Sequence, residues 1–150
     1  MPIRLSTTLT KIQSTAGTVN GSLLLDLYEY MKTNGSSESH MNNTLKTNSL
    51  FAQFLGPDVS FYDVTGKNQI TSFLDTKMKS AEDDPDKRWI TTWNDYLGDI
   101  KFLFRWLHNW KLKEDESGND TQISDWETPS FAQIKKKKTK RLSPYLESEI

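Results

Sequence analysis

The sequence predicts an all-α fold, a four-helix orthogonal or antiparallel bundle, and three observations carry that reading. Residues 89–110, WITTWNDYLGDIKFLFRWLHNW, set Trp89, Trp93, Tyr96, Ile100, Leu103, Leu107 and Trp110 at steps that alternate four and three, which is one face of a helix. Shorter stretches with the same period are bounded by Gly, Pro, Ser and Asp where helices start and stop. No segment shows the period-two alternation of a strand.

Residues 1–20 are rich in Thr, Ser and Asn without a sustained period and read as an irregular, mobile N-terminal arm. Ser22 caps a first helix in which Leu23, Leu24, Leu27, Tyr28 and Met31 share a face, and Asn34-Gly35 ends it. The loop Gly35-Ser36-Ser37 leads to a second helix over 37–55, with Met41, Leu45, Phe51, Ala52, Phe54 and Leu55 as its apolar set and Gly56-Pro57 as its stop. Its first half, SHMNNTLKTN, places Asn and Thr where Ala or Glu are better helix formers, which points to hydrogen-bonding work on a surface. Val59–Val64 is a short apolar connector, and Thr65 caps a third helix with Ile70, Phe73, Leu74 and Met78 on one face.

The last helix is expected over 85–110. Asp84 serves as its cap, Pro85 suits the first turn, and the acids around them favour the positive end of the helix dipole. Ile90, Leu97 and Phe104 widen its apolar stripe, while Thr92, Asn94, Asp95, Asp99, Lys101, Arg105 and His108 form the opposite face. Gly98 costs about 1 kcal/mol against Ala, too little to break so long a run. This helix bears four of the chain's five Trp and is the wall on which the others pack. Residues 21–112 thus form the helical domain, and 113–141 a linker that opens acidic and polar. Within the linker, Trp126, Pro129 and Phe131 pin the chain back onto the bundle before a basic run, and residues 142–150 read as the opening of a further element.

Composition narrows the function. Cysteine is absent, which removes disulfides, thiol catalysis and cysteine metal sites. No apolar run approaches the roughly 20 residues of a membrane span, and the start MPIRLSTTLTKIQ lacks a secretory apolar segment, so a cytoplasmic protein without membrane contact is expected; the isolated fragment is expected to be a monomer. The net charge of −1 hides an asymmetry: residues 135–150 hold six Lys/Arg and two Glu, net +4, and residues 1–134 hold 13 Lys/Arg and 18 Asp/Glu, net −5. A basic tail on an acidic body points towards a polyanion partner.

No catalytic constellation is visible, and neither a metal nor a cofactor is expected. His40 and His108 sit on different helices without an acid at ligand spacing, and Glu82, Asp83, Asp84 and Asp86 lack the spacing of a calcium loop and read better as helix capping. The regular spacing of the Trp and Phe stripe makes it core rather than a stacking platform for single strands. Lys135, Lys136, Lys137, Lys138, Lys140 and Arg141 put six cations within seven residues. That run is either a solvated tail or a set of phosphate contacts.

SSESHMNNTLKTNSLFAQFLG resembles the second helix of the N-terminal core-binding domain of tyrosine recombinases, the phage-integrase family. FYDVTGKNQITSFLDTKM resembles that family's linker and third helix, and TTWNDYLGDIKFLFRWL its last helix, especially as found in archaeal integrases. TPSFAQIKKKKTKRLSPYLESEI resembles the basic interdomain linker and the first residues of the catalytic domain. The resemblance spans roughly residues 20–150 and implies a SAM-like bundle that clamps duplex DNA. Cutting and rejoining belong, in that family, to a tyrosine in a C-terminal domain, so the chain is expected to be the DNA-binding half and not itself an enzyme. In a full-length protein it would meet other protomers in a synapse. The resemblance places His40, Asn42, Asn43 and Lys46 of the second helix and Lys101, Arg105 and His108 of the last helix toward DNA. Asn reads adenine edges, Arg reads guanine, and Lys mostly meets phosphate. A helical protein-interaction module with no DNA role is the alternative.

Overall fold

A computed structural model describes residues 4–15, 18–111 and 126–138 of the chain. Among these residues the structure is all helical, with α1 (Leu5–Thr15), α2 (Thr18–Thr33), α3 (Glu38–Leu55), α4 (Lys67–Asp75) and α5 (Trp89–Asn109), and 3₁₀ turns at Phe61–Asp63 and Ser130–Ala132. Five α-helices are therefore present where four were expected. No described helix is long and apolar enough to cross a membrane.

The extra helix corrects the expectation of an irregular arm over residues 1–20. Leu5, Leu9 and Ile12 recur at steps of four and three, and Ile12 is fully buried with Leu5 and Leu9 packed against the core. The many hydroxyls do not compete with the helix here. Thr10 and Ser14 donate back to the carbonyls of Ser6 (3.0 Å) and Thr10 (3.4 Å), inside α1 itself. Burial against α2 and α3 outweighs the weak propensity of Thr and Ser.

The start of α2 lies at Thr18 rather than Ser22. Its end follows the Asn34-Gly35 expectation: Gly35 at φ 74 lets its own N–H bond Lys32 O (3.1 Å) and the Ser36 N–H bond Met31 O (3.0 Å). The Ser37 hydroxyl accepts from the His40 N–H at 3.1 Å and opens α3, and Gly56 at φ 93 closes it. Thr65 does not cap α4 with its side chain. The Gln69 amide oxygen instead reaches back to accept from the N–H groups of Thr65 (2.9 Å) and Gly66 (3.1 Å). Because α4 ends at Asp75, Met78 lies beyond it and is half exposed, contrary to its expected place on the core face.

Asp84 does not stand directly before α5 as expected: the helix begins at Trp89 with Arg88 before it, residues 85–88 form a turn outside it with Lys87 at φ 53, and the Asp84 carboxylate reaches across that turn to accept from the Trp89 N–H at 2.8 Å. Trp93, Ile100, Leu103 and Leu107 are buried, as their spacing predicts, together with Ile90, Leu97, Phe104 and Trp106. Trp89, Tyr96 and Trp110 are only partly covered. The core gathers round Phe51, whose ring lies 6.0 Å from Phe61, 5.3 Å from Phe73 and 6.2 Å from Phe104.

Residues 126–138 run back along α5 as a strap. Trp126 and Ala132 are buried, and Phe131 meets Phe104 edge-on at 5.0 Å. Trp126 and Phe131 thus pin the chain to the bundle as expected.

If α1 is part of the core, Ile12→Ala should destabilise the protein by about 2–5 kcal/mol, as Leu103→Ala should, because each empties a fully buried aliphatic site. Urea midpoints check this, and an unchanged midpoint for Ile12→Ala would return residues 1–15 to the status of an appendage.

Candidate nucleic-acid interface

The polar first half of α3 crosses the middle of α5 and leaves an open groove of about 450 Å³. Asn43, Lys46 and Thr47 face Asn94, Asp95, Tyr96, Gly98 and Asp99 across it, and Lys136 of the strap completes the lining. Its floor is a hydrogen-bonded seam. The Thr47 hydroxyl donates to Asp99 Oδ2 at 2.7 Å, and the Asn48 amide donates to Asp99 O (3.0 Å) and Thr44 O (2.9 Å). Burial raises the Asp99 carboxyl above the ordinary range, with Asp95 adding to the rise, while the Thr47 bond and the nearby His40 oppose it.

The basic strap is fixed beside this groove. Asn94, an outward residue of α5, donates its amide to Lys137 O at 2.8 Å and accepts from the Lys137 N–H at 2.8 Å. The Lys137 ammonium lies over the Trp93 ring, 4.7 Å from its centroid. Lys135, Lys136 and Lys138 remain exposed. At the far end, Asn109 makes the matching pair with Glu127, donating to its carbonyl (2.8 Å) and accepting from its N–H (3.2 Å).

The residues expected to meet DNA fall into separate places. Asn43 and Lys46 line the groove, and Lys136 joins them there. Lys101 is partly buried, and burial, followed by the charge of Lys136, lowers its pKa. His40 is exposed and sets its ring edge-on to Phe102 at 5.3 Å. The Asn42 amide oxygen accepts from the Thr8 hydroxyl, which ties α3 to α1 rather than leaving that oxygen open to a base. Arg105 reaches Trp126 O at 3.4 Å and so faces the strap. His108 packs against Phe104 and Phe131, and burial lowers its pKa. Lys140 and Arg141 lie outside the described residues, as do residues 113–125 and 142–150 of the expected linker and further element.

Sequence reasoning missed Asn94 and Asn109 as strap holders. Asn94 was legible as a polar-face residue and Asn109 was not singled out, and no local spacing announces a bond between positions 94 and 137. Among the described residues, no group of three or more His, Asp or Glu is arranged to hold a metal ion. No family model matches the chain, and no curated protein or solved structure matches it.

Asp99→Asn keeps an oxygen for Thr47 and removes a partly buried charge. Folding raises this pKa, so the folded state holds the proton more tightly than the unfolded chain. The charge therefore costs stability above the folded-state pKa and costs none below the unfolded value of about 3.9. Asp99→Asn should be more stable than the parent at pH 7, with the gain shrinking on acidification. Urea midpoints across that range check the sign, and a gain that grows towards low pH would contradict it.

Proposed function

We propose that this chain binds double-stranded DNA through the α3–α5 groove and the basic strap, as the helical clamping domain of a tyrosine-recombinase-type integrase. The observation that carries the reading is the Asn94–Lys137 amide pair, which sets a lysine-rich segment alongside a groove already lined by Asn43 and Lys46. Cations from α3 and from the strap, far apart in sequence, thereby meet one face. A row of ammonium groups on one face suits the phosphate backbone, whose counterions it releases, and Asn43 supplies an amide able to pair with a base edge.

Asp95 and Asp99 line the same groove, so phosphates engage its rim rather than its floor. In this reading α2 to α5 correspond to the four helices of a SAM-like core-binding domain, α1 is an addition to it, and the strap corresponds to the basic interdomain linker. That correspondence rests on the sequence resemblance. The reading assigns the chain placement of DNA and no cleavage step, a cytoplasmic setting, and other protomers as partners within a synapse. The competing reading is a helical protein-interaction module, to which the groove cations are irrelevant.

Mobility shifts with duplex DNA at two salt concentrations test the proposal. Replacing Lys46, Lys135, Lys136 and Lys138 by Gln should flatten the log–log salt dependence by up to about 3.6 units, at about 0.9 per phosphate, and weaken all sequences alike. Arg105→Ala should also weaken all sequences alike, because Arg105 holds the strap. A loss of about 1–3 kcal/mol confined to one site would instead reveal a base contact. No binding below about 100 µM favours the interaction module, since non-specific DNA binders usually reach that range. Denaturing gels after incubation with DNA should show no covalent adduct, and an adduct would overturn the assignment of placement alone.

A further inference from the structure

Trp93 joins three elements at one ring. Its side chain is buried on α5, and its indole N–H donates to Oδ1 of Asp75, the last residue of α4, at 3.2 Å. The Lys137 ammonium of the strap lies over the face of the same ring, 4.7 Å from its centroid. An anion at the edge and a cation over the face suit the indole quadrupole, which is positive at the edge and negative over the face. The carboxylate also fixes how the ring stands, because a buried indole has a single donor and keeps it paired. The amide of Asn94 holds the Lys137 backbone but does not set where the Lys137 side chain points. The indole face sets that direction. With Lys137 turned onto the ring, Lys136 lines the groove, and Lys135 and Lys138 stand exposed.

We propose that Asp75 is a positioning residue of the DNA interface. Through the Trp93 indole it seats Lys137, and the seated lysine holds the strap so that Lys135, Lys136 and Lys138 meet the phosphate backbone. Lys137 then anchors the strap and makes no phosphate contact of its own, although it belongs to the same basic run. The inference rests on the DNA-binding reading for what the amines meet, but not for the seat itself. Its sign is distinctive. Removing a carboxylate makes the protein more positive, which by general attraction strengthens binding to a polyanion. Loss of the seat predicts weaker binding instead.

The test compares the parent protein with D75A, D75N, K137Q, D75A/K137Q and a charge-matched control, D58A, whose exposed carboxylate lies in the connector after α3. Far-UV circular dichroism checks that each is folded. NMR of the free proteins follows the Lys137 side-chain methylene protons, which the current of the Trp93 ring moves upfield while the side chain lies over it. Each protein is then titrated with a short DNA duplex over a salt series. D75A should lose most of the upfield shift and lower the log–log salt slope by up to about 2.7 units, for three exposed strap lysines at about 0.9 each. D58A should leave the upfield shift in place and the slope no lower. D75N keeps an oxygen for the indole N–H and should retain most of both. K137Q should lower the slope as D75A does, and D75A/K137Q no further than either alone, because both remove the same seat. If D75A does not fold, W93F, which keeps an aromatic face but has no N–H for Asp75, takes its place with the same expectations.

Duplex binding by D75A with the parent's shift and slope, or tighter binding as in D58A, overturns the role of Asp75 and leaves the DNA reading standing. An upfield shift lost in D75A, with no duplex binding by the parent, supports the seat and overturns DNA as what the strap meets. Additive losses in D75A/K137Q overturn the route through Lys137. Losses in D75N equal to those in D75A overturn the indole hydrogen bond as the means.

Discussion

Backbone that leaves a helix must find partners for its N–H and C=O groups, and here three asparagine amides provide them. Each offers one donor and one acceptor to a passing peptide, as a neighbouring strand would. Asn20, buried in α2, donates to Val59 O at 2.9 Å and accepts from the Phe61 N–H at 2.8 Å. That pair seats the connector so that Phe61 stacks on Phe51 and meets Phe104. Asn109 and Asn94 do the same for the two ends of the strap, with Phe131 and Ala132 packed between them. A single such bond contributes only about 0.5–1.5 kcal/mol net, but an amide left buried without its partner costs about 1–3 kcal/mol. The three therefore select one path for otherwise irregular chain.

The strap changes the status of α5. An amphipathic helix ordinarily shows its polar face to water. The apolar stripe of α5 packs on α3 and α4, and the strap then covers much of the other side. Arg105 and His108 consequently become interior contacts of the strap although they belong to the polar face. Of the other polar-face residues, Asn94, Asp95 and Asp99 line the groove. One helix thereby serves as both core wall and site wall.

Both signs of charge line this groove. Thr47 and Asn48 tie Asp99 into the seam of the groove, while Asp95 and the amines of Lys46 and Lys136 line it as exposed residues. Under the proposed DNA-binding function, these amines would meet the phosphate backbone, and binding would weaken as salt screens them.

Helix α5 was legible because its steps of four and three persist over six turns, and burial of Trp93, Ile100, Leu103 and Leu107 followed from them. The ends of α2 and α3 were legible because Gly35, Ser37 and Gly56 have local backbone roles. Helix α1 was not, although Leu5, Leu9 and Ile12 carry the period, because Thr and Ser leave isolated helicity weak and only packing on α2 and α3 decides it. Met78 escaped the core because α4 stops at Asp75, a turn short of it. In the candidate site, the sequence by itself determined which amines and amides exist and that a basic run follows an aromatic anchor. Only the tertiary structure decided that Asn42 belongs to Thr8, that Arg105 faces Trp126, and that Asn94 holds Lys137, whose neighbour Lys136 lines the groove. Those pairings join residues 21 to 43 positions apart, and no local periodicity specifies contacts at such range.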